Sequence, residues 1–190
     1  MIKYEDLYEE VKETLSEKRF KHSEGVVKRA IEYAKVYNVD IETVKLVAIS
    51  HDIAKELSEE EIEKYIKEYS IEIDEVEKRN NNLLHAKIGS YICKNKFGFT
   101  QDMANAVKFH TTGRENMTIL EKVIYLADAT EEGRNYPSDY YVNLSKNDID
   151  RAVFEVCAWT VNRLIERNEV IHLNSIKCYN FYNKNSVKNK

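Results

Sequence analysis

His51 and Asp52 stand side by side after the apolar run LVAIS, and His22, His85, His110 and Asp128 interrupt other apolar stretches in a similar way. An imidazole offers nitrogen to a metal, whereas a carboxylate offers oxygen and can bridge two ions with its two atoms. Consecutive helical residues point about 100 degrees apart, so neighbours at a helix end share an ion only if it lies between their directions. His22, His51, Asp52 and Asp128 together make a mixed nitrogen and oxygen set, better suited to iron, manganese or zinc than to calcium. His85 and His110 could complete a second metal position or hydrogen-bond a phosphate.

Each residue also has an ordinary reading. A lone histidine is more often a hydrogen-bonded structural group than a ligand, which is the expectation for His172. Asp52 could cap the following turn, and Asp128 could hydrogen-bond a helix end. The combination decides, because burying several titratable groups without a metal or partners costs on the order of several kcal/mol.

Such a set needs a rigid scaffold, and the pattern supplies helices. Five glycines and one proline leave few breakers, and apolar residues recur at spacings of three and four. The predicted fold class is all-α, a single helical bundle with the metal site at converging helix ends. The first helix presents Leu7, Tyr8, Val11 and Leu15. A second, after His22, presents Val26, Val27, Ala30, Tyr33, Ala34 and Tyr37. Asp40 caps a third that runs to the His51-Asp52 pair. Ser58 with Glu61, and Thr118 with Glu121, have capping-box spacing. SIEIDEVEKRNNN reads as a loop or short helix before a buried face of Leu84, Ile88, Tyr91 and Ile92. Thr100 caps a helix that Gly113 stops. Turns surround Pro137, and the last long helix, from about Asn147, is expected to bury Ile149, Val153, Val156, Thr160 and Leu164. Residues 1–170 form the domain. Residues 171–190 read as a basic, mobile tail whose Tyr179, Phe181 and Tyr182 could pack back on it.

Charged residues at 33% beside hydrophobic ones at 43% give a soluble globular balance. No run approaches a membrane span, and the N-terminus lacks a signal-peptide core, so a cytoplasmic protein is expected. Cys93, Cys157 and Cys178 lack the spacing of a disulfide framework or thiolate zinc site. A net charge of -4 argues against nucleic acid as a partner. The apolar final helix leaves room for a homodimer.

The ordered segments KHSEGV, SHDIAKEL, LLHAKIG, VKFHTTGRENMTILEKVIYLAD and EEGRNYP resemble the YqeK-type branch of the HD-domain metal-dependent phosphohydrolases. The similarity runs from about Phe20 to Pro137 and, by helical pattern, to about residue 170. It implies a symmetrical dinucleoside tetraphosphatase that cleaves diadenosine tetraphosphate to two ADP, with one or two divalent ions, iron favoured. His22, His51, Asp52 and Asp128 would be the principal ligands, with His51 and Asp52 central to catalysis. His85 and His110 would line a second metal position or hold phosphate. Polyphosphate charge needs cations, for which Lys55 and Arg134 are candidates, and Thr111 could donate a further hydrogen bond. Glu131, Glu132 and Arg114 are left without an assigned role. Alternatives are another nucleotide phosphoester as substrate, or a nucleotide-sensing module without turnover.

Overall fold

Capping residues set most of the helix starts. In the computed structural model, which describes residues 2–134 and 138–187, Ser16, Asp40, Thr100 and Asp148 each accept a backbone N–H from the first turn of their helix. Ser58 and Thr118 form full capping boxes with Glu61 and Glu121. The helices are α1 (Tyr4–Thr14), α2 (Glu17–Tyr37), α3 (Ile41–Ser50), α4 (Glu59–Glu68) and α5 (Asn81–Phe97). They continue with α6 (Gln101–Lys108), α7 (Ile119–Thr130), α8 (Ser138–Asn147), α9 (Ile149–Glu166) and α10 (Leu173–Val187). No strand occurs among the described residues, and Glu77–Arg79 form a single 3-10 turn inside the polar segment. No described helix is long and apolar enough to cross a membrane.

α3 occupies the centre, with α1 and α2 packed on it, and α7 lies against α2, α6 and α9. Val44 and the run from Leu46 to Ser50 are all buried, so α3 is enclosed on nearly every side. A helix so enclosed cannot roll or slide without opening voids, and it delivers His51 at its C-terminal end. α7 is held similarly by buried Leu120, Val123, Ile124, Leu126 and Ala127, which fixes Asp128.

Four expectations change. α6 ends at Lys108, and Gly113 closes the turn that follows by donating its N–H to the Phe109 carbonyl, rather than stopping the helix itself. α2 begins at Glu17, five residues before His22, because Ser16 caps it after only a short link from α1. His22 therefore projects from within a helix rather than opening one. Thr160 and Leu164 are half-buried and line a cleft instead of the core. The stretch read as a tail forms α10, which packs on α9 with Cys178 and Tyr182 buried. α8 lacked a sequence signal, and Pro137 lies outside the described residues.

α10 also braces the loop that follows α6. The Met117 N–H donates to Tyr182 Oη at 2.9 Å, and Gly113, at φ 61, leaves Cys178 Sγ only 2.7 Å from where a Cβ would stand. Gly113→Ala is expected to destabilise by about 2 kcal/mol, combining left-handed strain with the sulfur clash. Urea denaturation measures it, and an unchanged midpoint would contradict this packing. His172 holds the start of α10 as the ordinary reading expects. Its Nε2–H donates to Asp74 Oδ2 at 2.9 Å, and its Nδ1 accepts the Asn174 N–H at 3.1 Å. Glu77, although close to this pair, is bound by Lys87 at 2.6 Å.

Candidate metal centre

Five segments aim their polar residues at one point. α2 supplies His22, the turn after α3 supplies His51 and Asp52, α5 supplies His85, the turn after α6 supplies His110, and α7 supplies Asp128. His51, Asp52, His85 and His110 are buried, while His22 and Asp128 sit at the rim of the group.

Asp52 lies in the middle, and its two oxygens face different neighbours. Oδ1 is 2.9 Å from His85 Nε2 and 3.6 Å from His110 Nε2. Oδ2 is 3.6 Å from His51 Nε2, 3.9 Å from His22 Nε2 and 3.0 Å from Arg19 Nη1. Asp128 Oδ1 is 3.0 Å from His22 Nε2 and 3.8 Å from His51 Nε2, completing the Oδ2 side. Donor atoms around a cation at about 2.1 Å stand about 3.0 to 3.4 Å apart, so most of these separations need only small adjustments.

The hydrogen-bond partners assign the imidazole protons. His51 Nδ1–H donates to the Ala48 carbonyl at 2.7 Å, leaving the Nε2 lone pair buried with no hydrogen-bond partner. His22 Nδ1–H donates to Glu131 Oε1 at 3.1 Å, and its Nε2 makes no aligned hydrogen bond despite its closeness to Asp128. Two bare nitrogens beside two carboxylates suit a divalent cation, and the residues present fit one. His110 Nδ1–H donates to the Val107 carbonyl at 2.7 Å, turning its Nε2 toward His85 Nε2 at 3.2 Å. His85 keeps its proton on Nε2 for Asp52 and takes Lys55 Nζ on Nδ1 at 3.4 Å. On the Oδ1 side His85 supplies a proton and His110 a lone pair, whereas on the Oδ2 side His51 and His22 present lone pairs and Arg19 supplies the N–H.

Glu131, without a role in the sequence, orients His22. Its Oε2 accepts the Gly133 N–H at 2.7 Å. A Cβ on Gly25 would come within 2.7 Å of Oε2, and one on Gly133 within 2.8 Å of Oε1. Two glycines therefore make the slot in which this carboxylate reaches the imidazole. The signal was the pair of glycines in HSEG and EEGR, three and two residues from His22 and Glu131, but only the packing of α7 on α2 joins them.

Burial dominates the electrostatics. It pushes the His51 and His85 imidazoles down to about 4, with Asp52 opposing. Burial would raise Asp52, but the imidazoles of His51, His110 and His85 hold its carboxyl well below the usual carboxylate range. Asp128, also raised by burial, is carried below that range by Arg134 and His22. His22 moves the other way, since Asp128 and Glu131 outweigh its burial. Burial also lowers Lys55.

These shifts imply a pH dependence. Between the ordinary 6.5 and about 4, the unfolded chain binds protons that folded His51 and His85 refuse, so the metal-free fold loses stability as pH falls through that window. His22 opposes this, because its stabilisation is complete below 6.5 and is lost as pH rises through its raised value. The two carboxylates titrate below the window. A net loss of order a few kcal/mol is expected between about pH 7 and about pH 4.5, measured by urea midpoints. Equal midpoints would contradict it.

The remaining charges fall into place around two clefts. One, of about 550 Å³, reaches from His110 and Asp128 along the C-terminal half of α9, with Lys55 and Thr111 in its wall. The other, of about 560 Å³, runs from His22 along the first turns of α2. Arg134 lines both, donates from Nε to the Asp128 carbonyl at 2.9 Å and pairs with the Asp128 carboxylate. Thr111 Oγ1 is buried without a partner, a condition that costs about 1 to 3 kcal/mol and is relieved by a bound acceptor. Glu132 is exposed in the second cleft. Arg114 is structural, gripping Glu121 through Nε at 3.0 Å and Nη2 at 2.8 Å.

Comparison with known proteins gives a consistent set. The HD domain matches residues 19–133, a span containing all six converging histidines and aspartates. The chain is 36% identical over 172 residues to a protein of Halalkalibacterium halodurans named symmetrical bis(5'-nucleosyl)-tetraphosphatase, covering 90% of this chain and 91% of that one. Proteins of the same name from Bacillus subtilis and Staphylococcus aureus are 33% and 32% identical, with 90% of this chain covered in both cases and 92% and 90% of theirs. The crystal structure of a predicted HD superfamily hydrolase involved in NAD metabolism from Clostridium acetobutylicum has a TM-score of 0.90, 33% identity and 100% coverage of both chains.

Proposed function

The chain belongs to the HD-domain family, in its branch of symmetrical bis(5'-nucleosyl)-tetraphosphatases, and on that premise we propose that it hydrolyses diadenosine tetraphosphate to two ADP in the cytoplasm. The observation that carries this is the Asp52-centred cluster, with two bare imidazole nitrogens, set between two clefts that share Arg134.

His22, His51, Asp52 and Asp128 would hold a divalent cation, iron in our reading, with manganese and zinc the alternatives. When bound, it supplies a nucleophilic oxygen at neutral pH and neutralises phosphate charge. His85 and His110 would serve a second metal position or hold phosphate.

The chain's own groups do the rest. Glu131 keeps the His22 proton on Nδ1, and the Ala48 carbonyl does the same for His51. Arg134, beside Asp128 and lining both clefts, would meet charge at the central phosphates, and Lys55 and Thr111 would meet it on the α9 side. One water adds across the central phosphoanhydride, so one ADP retains the bridging oxygen and the other gains the oxygen of water. Separation of nucleotides after incubation with iron-loaded protein tests this. ADP as sole product is expected, whereas ATP with AMP, or no turnover, would contradict it.

A further inference from the structure

The two clefts have nearly equal volumes, about 550 and about 560 Å³, each large enough for a nucleotide half. Their chemistry differs. The α9 cleft carries Trp159, the only tryptophan of the chain, 38% exposed, with the Arg163 guanidinium packed on its ring at 5.8 Å. Arg167 and the apolar side chains of Leu164 and Val170 continue the same wall. The α2 cleft is lined by Lys18, Lys21 and Lys28 together with Glu24, Glu131 and Glu132, and Arg19 stands beside Asp52 at its inner end, so cations outnumber acids there.

An aromatic ring with adjacent cations binds a base by stacking, since every base has a π-face. A row of lysines binds phosphate as point charges and reads little else. We propose that the two halves of the substrate occupy unlike subsites. One nucleoside stacks on Trp159 in the α9 cleft, and the other half is held through its phosphates by Lys18, Lys21 and Lys28. The tetraphosphate then crosses the metal centre beneath Arg134, with its central bond between the two sides. This rests on the function proposed above and adds to it the residues that grip each half. It predicts that the second nucleoside contributes little, so adenosine 5'-tetraphosphate is cleaved to ADP and pyrophosphate with kcat/KM near that of the dinucleotide.

Trp159 is its own reporter, because ADP seated on it quenches the sole indole. Titration of the full-length protein with ADP is expected to give saturable quenching. Trp159→Ala should weaken ADP binding roughly 10-fold by calorimetry, and Trp159→Phe should restore most of it. Lys21→Ala with Lys28→Ala should leave ADP quenching within twofold and raise KM for the dinucleotide. Unchanged fluorescence on ADP binding, or affinity in Trp159→Ala within twofold of wild type, would overturn the stacking subsite while leaving the hydrolase intact. An unchanged KM in the lysine variant would overturn the phosphate subsite. Quenching without conversion of diadenosine tetraphosphate to ADP would uphold the subsite and overturn the hydrolase.

Discussion

Replacing Asp52 with alanine is expected to abolish divalent-metal binding and diadenosine tetraphosphate hydrolysis together, by about 10³-fold or more in kcat/KM. Groups that merely orient ligands typically cost 10- to 100-fold, and Asp52 is the one residue that touches both sides of the cluster. The fold should survive. Asp52 follows the buried shaft of α3 rather than forming part of it, and Arg19, which loses its partner, keeps 32% of its side chain in water. A persistent helical circular-dichroism signal with metal content near zero is the predicted pair of results. Asp52→Asn, which keeps the shape but removes the charge, serves as a second variant. Full activity in either would remove Asp52 from the site.

The second large effect comes from residues that touch no substrate. Glu131→Ala should reduce metal affinity by about 10- to 100-fold, because His22 loses the acceptor that fixes its proton on Nδ1 and its Nε2 lone pair toward Asp128. Gly25→Ala should do the same from the opposite direction, since its methyl group would sit 2.7 Å from Glu131 Oε2. Helix propensity makes the comparison sharp. Alanine in the interior of α2 favours the helix by about 1 kcal/mol over glycine, which offsets part of the clash. Metal affinity should therefore fall much more than thermal stability. Metal titration followed by calorimetry checks both variants, and affinity within twofold of wild type would sink the orienting role.

How much of this was legible in the sequence depends on the range of each interaction. Caps are local, so Asp40, Thr100 and the boxes at Ser58 and Thr118 could be read directly, and with them the starts of α3, α4, α6 and α7. The start of α2 was hidden because Ser16 has no acidic residue three positions on, only Arg19. Six chemical residues at helix ends or faces marked a shared site, and the structure does bring them together. Glu131 was not assignable, since its partner lies 109 residues away and its slot exists only where α2 meets α7. Arg114 had no assignable role in the sequence, and the fold gives it one in holding Glu121. Trp159 carried no mark of its own in the sequence, and the cleft that it lines along α9 exists only in the fold. The charges that matter most were visible as residue types, while their roles depend on the packing of distant helices.

The central claim is that a metal held by this cluster directs water to the middle of a dinucleoside tetraphosphate. Its most direct test is turnover of diadenosine tetraphosphate in ¹⁸O-water by metal-stripped protein, before and after iron is restored, with mass analysis of the products. No turnover before iron, then ADP alone after it, with the label on the terminal phosphate of one of each two ADP formed, is the predicted result. Label in AMP accompanied by ATP, or turnover equally fast without metal, would contradict it.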